Sequence, residues 1–119
     1  MTLNEYQEQA MSTCMTTCNN EAYMMLNLVG EVGELASKLA KDIRKDKAVI
    51  DENHFVIYED EYMWIRDEEY MKEAGDILWQ LAGLCTVMGW TLEEVAQGNL
   101  DKLASRKERG VIDGNGDNR

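Results

Sequence analysis

Residues 28–41 read LVGEVGELASKLAK, and the reading of this stretch decides the fold. Extended back to Glu21 and forward to about Lys45, it carries Met24, Leu28, Val32, Leu35, Leu39 and Ile43 in an almost unbroken i, i+4, i+7, i+11 series. That is the period of a helix with one buried face. The same helix spends Gly30 and Gly33 in its interior, each costing roughly 1 kcal/mol against alanine. It also sets Glu31 and Glu34 beside the apolar stripe. A helix that keeps such features has a use for them.

Three further helices are expected around it. Thr2 and Glu5 have capping-box spacing and start a first helix running to about Cys18, with Leu3, Tyr6, Ala10 and Met11 inward. Asn19 and Asn20 interrupt it. Residues 46–66 lose the helical period and read as a connection with at most a short helix or irregular turn near its end. A third helix, from about Asp67 to Met88, turns Tyr70, Ala74, Ile77, Leu81, Leu84 and Met88 inward, and Gly89 stops it. Thr91 and Glu94 open a fourth helix through about Arg109, with Leu92, Ala96, Leu100 and Leu103 inward. Residues 110–119, GVIDGNGDNR, form a glycine-rich tail. With no proline and eight methionines, the expected class is all-α. The architecture is of four-helix bundle type, a single domain over 1–119, with no sheet of any size. A core this small favours burying helix faces in a homo-oligomer.

The formal net charge of −11 argues against direct nucleic-acid binding, which draws its affinity from Lys and Arg. Charge is unevenly spread: residues 59–69 are strongly acidic, whereas Lys102, Arg106, Lys107, Arg109 and Arg119 gather near the end. Cys14, Cys18 and Cys85 follow no signal-peptide pattern or metal-finger spacing, so reduced thiols in the cytoplasm are expected. Cys14 and Cys18 lie one turn apart, but a single histidine, His54, gives poor support for structural zinc. No apolar run approaches the roughly 18 residues of a membrane span.

On a helical wheel with Leu28 at zero, Glu31, Lys38 and Glu34 fall at about −60°, −80° and −120°, all on one side of the stripe. With Ile77 at zero, Glu73, Glu69 and Asp76 fall at about −40°, −80° and −100°. Packed antiparallel, the two helices aim these carboxylates into one cleft. Acid pairs at i, i+3 are common on solvated faces, and Glu34 with Lys38 has ordinary ion-pair spacing. Two pairs, each at the edge of a stripe and beside a glycine, point further, because clustered carboxylates repel unless a cation neutralises them. Hard oxygen donors suit Mg²⁺ or Mn²⁺. A di-iron bundle would want Glu-x-x-His, and the tail lacks the Gly and Glu of a calcium loop. On the fourth helix Asn99, Arg106, Lys102 and Arg109 line one side of the stripe, as a phosphate ester requires, although basic residues in a last turn also complement the helix dipole.

Glu31-x-x-Glu34 followed by Glu73-x-x-Asp76 resembles the ExxE and ExxD signature of the MazG-like, all-α nucleoside triphosphate pyrophosphohydrolases. NLDKLASRKERGVIDGNGDNR is similar to that family's ending, so the resemblance covers roughly residues 20–119. It implies cleavage of a nucleotide between its α and β phosphates to a monophosphate and pyrophosphate. Glu31, Glu34, Glu73 and Asp76 would hold Mg²⁺, and Glu34 would orient the attacking water. Asn99, Lys102 and Arg106 would contact phosphates or sugar, with Lys38 and Arg109 added to the substrate-binding set. Divalent cations would screen the triphosphate and activate water, so no histidine base is required. Helical dimers or tetramers are implied as well.

Trp64 and Tyr62 have no counterpart in that pattern and read as base-pocket lining, or as a flap or dimer contact. Trp79, Gly30, Gly33 and Gly75 sit opposite their apolar stripes and suggest a second, closely packed face. The competing reading is a non-enzymatic acidic helical module that binds nucleotide or mimics nucleic-acid charge.

Overall fold

The computed structural model describes residues 1–53, 56–58 and 63–119, with 56–58 and 63–65 described by their backbone. Four helices carry the chain: α1 (Leu3–Met11), α2 (Glu21–Arg44), α3 (Met63–Met88) and α4 (Leu92–Glu108). The class is all-α, as expected. The starts of α1, α2 and α4 each have a chemical reason. Thr2 and Thr91 both form complete capping boxes, with Glu5 and Glu94 respectively, and the Asn20 side chain accepts from the Tyr23 amide at 2.8 Å.

The ends of α2, α3 and α4 share one solution. A residue with left-handed backbone follows each: Asp46 (φ 57°), Gly89 (φ 75°) and Gly110 (φ 69°). The next amide then bonds back across the last turn, Lys47 to the Asp42 carbonyl, Trp90 to Cys85 and Val111 to Arg106, at 2.8–2.9 Å. This closure satisfies carbonyls that a helix end leaves open.

Two expectations are corrected. The first helix stops at Met11, not near Cys18, because the Ser12 and Thr13 hydroxyls bond back to the Gln9 and Ala10 carbonyls. A short 3₁₀ turn, Thr16–Cys18, follows. Secondly, residues 46–66 are not free of sheet: β1 (Ala48–Ile50) and β2 (Val56–Tyr58) pair antiparallel, with Ala48 opposite Tyr58. β-Branched residues at 49, 50, 56 and 57 favour extended backbone over helix. Beyond the ribbon α3 begins at Met63, a turn earlier than its apolar period signalled.

α2 lies antiparallel on α3. Met24 meets Gly83 toward one end of the seam, while Lys38 reaches Glu73 and the Tyr70 hydroxyl donates to Asp42 toward the other. The covered side of α2 comprises Tyr23, Met24, Asn27, Leu28, Glu31, Leu35, Lys38, Leu39 and Asp42, of which Met24 and Asp42 are buried. It is turned about 40° from the apolar stripe toward the acids. Val32 and Ile43, expected inward, are 48% and 39% exposed. Leu3, Ala74, Leu81, Leu100 and Leu103 are likewise exposed rather than inward. The reason is coverage: α4 rests on α1 and α3, leaving the outer faces of α2 and α3 open.

α1 packs on the other side of α3. Ala10, Ala82, Cys85 and Leu92 form the buried cluster, with Tyr6, Met11 and Trp79 against it. The Trp79 indole donates to the Ala10 carbonyl and the Thr13 hydroxyl at 3.1 and 3.0 Å. Gln7 ties three elements together, donating to Thr86 and to the Trp90 carbonyl and accepting from the Leu92 amide at 2.7 Å. Trp79 thus serves a second packed face, whereas a Cβ at Gly33 or Gly75 would meet nothing within 4 Å. Close approach occurs instead at Gly83, where a Cβ would lie 2.6 Å from Met24 Cε. Met24 is fully buried, so its thioether end would have to shift to make room. Gly83→Val is expected to lower stability by about 1–3 kcal/mol through overpacking; an unchanged urea midpoint would show that the seam has slack.

Candidate metal centre

The antiparallel seam turns the two acidic signatures toward each other. Carboxylate oxygens of Glu31, Glu73 and Asp76 lie within 4.8 Å of one another. Helix spacing explains the set: Glu73 and Asp76 share a face of α3 at i, i+3, and Glu31 comes from the facing turn of α2. Glu34, one turn further along α2, stands outside this triad but lines an adjoining groove of about 210 Å³ with Ser37, Lys38, Lys41 and Glu73. Its charge still reaches Glu31.

Electrostatics in the cluster are strained in one direction. Burial pushes the Glu31 carboxyl up; a hydrogen bond from the Asn27 amide, 3.0 Å long, opposes this, and the charges of Glu34, Asp76 and Glu73 push it further up. Tyr6 is raised by burial and then by the nearby Asp76 charge. Lys38 does not take up the Glu34 spacing expected of it. Instead it crosses the seam to Glu73 at 3.2 Å and Glu69 at 3.8 Å. Glu73 Oε2, by contrast, is buried with no hydrogen-bond partner among the described residues. An unpartnered buried carboxylate oxygen beside two further carboxylates is a donor set suited to a hard divalent cation.

Lys102, Arg106 and Arg109 are engaged elsewhere. Arg106 is buried and donates to the Gly116 and Asp117 carbonyls of the tail. Lys102 pairs with the Asp117 carboxylate at 3.5 Å, and Arg109 donates to the Arg119 carbonyl at 2.7 Å. Asn99 is exposed on α4. Tyr62, His54 and the Trp64 side chain lie outside the described residues.

Sequence reasoning missed Asn27, Tyr6 and Lys41. Asn27 was readable in hindsight, since Asn27 and Glu31 are an i, i+4 pair on one face. Tyr6 comes from α1, and no spacing within α2 or α3 points to it. No helix among the described residues is long and apolar enough to cross a membrane.

Residues 19–111 match the family model described as the MazG nucleotide pyrophosphohydrolase domain. The acid cluster falls inside this segment; α1 and the end of the tail fall outside. The chain is also similar to the Gene 37 protein of Mycobacterium phage L5, with 40% identity over 99 residues covering 82% of this chain and 75% of that protein. No solved structure matches.

The raised Glu31 value carries a sign. A carboxyl that holds its proton more tightly folded than unfolded favours the fold at acid pH, and that contribution is lost as pH rises through its folded value. Glu31→Gln is therefore expected to raise the melting temperature in EDTA at pH 7 by roughly 2–5 °C and to abolish the further rise that Mn²⁺ produces in the parent. Equal Mn²⁺ stabilisation of both proteins would remove Glu31 from the cation site.

Proposed function

The chain belongs to the MazG nucleotide pyrophosphohydrolase family, and from that premise we propose that it cleaves a nucleoside triphosphate, or a related nucleotide, between the α and β phosphates. The products are the nucleoside monophosphate and pyrophosphate. The observation that carries the reading is the convergence of Glu31, Glu73 and Asp76 across the α2–α3 seam.

In this reading Glu31, Glu34, Glu73 and Asp76 hold Mg²⁺, with Mn²⁺ as a substitute, and Glu34 orients the attacking water from its place in the groove. The bound cation supplies charge neutralisation and water activation. Lys38 serves first to hold Glu73 and Glu69 in place and is close enough to the groove to meet a phosphate. Asn99, Lys102, Arg106 and Arg109 complete the substrate-binding set. α1 and the tail are read as parts of the same domain as the matched segment; the packing of α1 on α3 and of the tail on α4 supports this. The three cysteines are free, which fits a reducing, cytoplasmic setting.

A homo-oligomer is part of the proposal. Leu26 and Val29 on α2 are 74% and 72% exposed, and Met71 on α3 and Leu100 on α4 are 74% and 59% exposed. The radius of gyration is 17.8 Å, against roughly 13.5 Å for a compact chain of this length. Open helix faces of this kind are covered most simply by a second copy.

Incubation with a panel of canonical and modified nucleotides plus Mg²⁺ is expected to release pyrophosphate. Glu34→Gln and Asp76→Asn should each reduce that release by on the order of 100-fold or more. Parent-like turnover in both variants would contradict the assignment. In sedimentation at micromolar concentration the protein is expected to run as a dimer or tetramer, and Leu26→Glu with Val29→Glu to shift it toward monomer; a monomeric parent would refute the assembly.

A further inference from the structure

The tail folds back on α4 and sets one carboxylate between two cations. Asp117 Oδ1 lies 3.5 Å from Lys102 Nζ and 3.4 Å from Arg106 Nη2. The two sides of this contact differ sharply in exposure: the Asp117 side chain is 87% exposed and that of Arg106 only 7%. The tail does not depend on this carboxylate for its course. Arg106 Nη2 also donates to the Asp117 and Gly116 carbonyls, at 3.1 and 3.4 Å, and Arg119 donates to the Val111 carbonyl at 3.0 Å. Swinging the Asp117 side chain into solvent would leave these bonds intact.

A second observation shows that the carboxylate is an incomplete partner. Arg106 Nε is buried with no hydrogen-bond partner among the described residues. Nε and one terminal nitrogen make an edge of the guanidinium fork that matches two oxygens of a carboxylate or phosphate. The single oxygen of Asp117 engages only Nη2. A phosphoryl group carries enough oxygens to meet Nε, Nη2 and the Lys102 ammonium together.

We propose that Lys102 and Arg106 form a phosphoryl seat which the Asp117 carboxylate occupies as an internal stand-in, so that a phosphate-bearing ligand binds by displacing it. The inference rests on the reading of α4 as the phosphate-contacting helix. Lys102 first, and then Arg106, hold the Asp117 carboxyl below the usual carboxylate range, so the stand-in is anionic at neutral pH. Exchange of one anion for another keeps the buried Arg106 charge compensated throughout, which avoids the cost of exposing it unpaired. The tail then sets a threshold on affinity without blocking the seat.

The test is calorimetric titration of inorganic pyrophosphate into the full chain without divalent cation, which needs no turnover. Asp117→Asn is expected to bind roughly two- to fivefold more tightly than the parent, the range expected from loss of one exposed ionic competitor. Asp117→Glu should bind like the parent and Lys102→Met more weakly. Asp117→Ser supplies the same comparison should the Asn variant fold poorly. Equal or weaker binding by both neutral variants would make Asp117 a positioning group and overturn the proposal. Parent-like binding by Lys102→Met would also overturn it, by removing the seat; pyrophosphate release from nucleotide by the parent protein with Mg²⁺ would still leave the pyrophosphohydrolase reading standing.

Discussion

Like charges held together across the α2–α3 seam are the constraint on which the rest depends. At an effective dielectric of about 20, two unit charges about 5 Å apart repel by about 3 kcal/mol, and three carboxylates of the cluster lie within that range of one another. The compensation inside the chain is modest. Asn27 donates one hydrogen bond to Glu31, and Lys38 supplies one cation to Glu73. A hydrogen bond to a charged group is worth about 1.5–3 kcal/mol net, so neither contact offsets three repelling pairs. A divalent cation adds an attraction to every carboxylate at once, which outweighs their mutual repulsion.

That constraint reaches into packing. To bring Glu31 into the seam, α2 must turn its acidic edge toward α3, and two of the six residues of its apolar stripe turn away with it. Val32 and Ile43 become surface, joining Met25, Leu26 and Val29. The chain therefore trades apolar burial within one copy for a charged interior, and an assembly that covers the outer faces restores the loss. Gly83 belongs to the same trade. By letting Met24 sit fully buried against α3, it anchors the seam beyond the acids with apolar contact.

Charge is handled differently at the far end of the chain. The overall balance is −11, yet the basic residues of α4 are not left as a free field; the tail's own carbonyls and carboxylate take them up. Arg106 could not be buried otherwise, since an unpaired guanidinium would cost several kcal/mol to desolvate. Acid cluster and basic strip are thus each partly neutralised from within, one by Lys38 and one by Asp117, through contacts that a ligand bearing both metal and phosphate could replace.

The four helices were legible, and so were those limits whose causes are local. The capping boxes at Thr2 and Thr91 and the stop at Gly89 depend on neighbours within a turn, and each stands where the spacing puts it, whereas the end of α1 at Met11 and the start of α3 at Met63 depart from it. The acidic pairs were legible for the same reason, since i, i+3 spacing alone sets Glu73 and Asp76 on one face. Rotation of α2 was not, because a stripe flanked by acids on one side and Val, Ala and Met on the other offers two faces, and only the partner helix selects between them. Nor was the pairing of Arg106 with the tail, which links residues on either side of a left-handed glycine turn, or the place of Tyr6, delivered by α1 through Gln7 and Trp79. By itself the sequence determined which segments are helical and which residue types could bind a cation; tertiary packing decided which of them meet, because hydrogen bonds within a helix fix its pitch while the choice of buried face is a competition among all its neighbours.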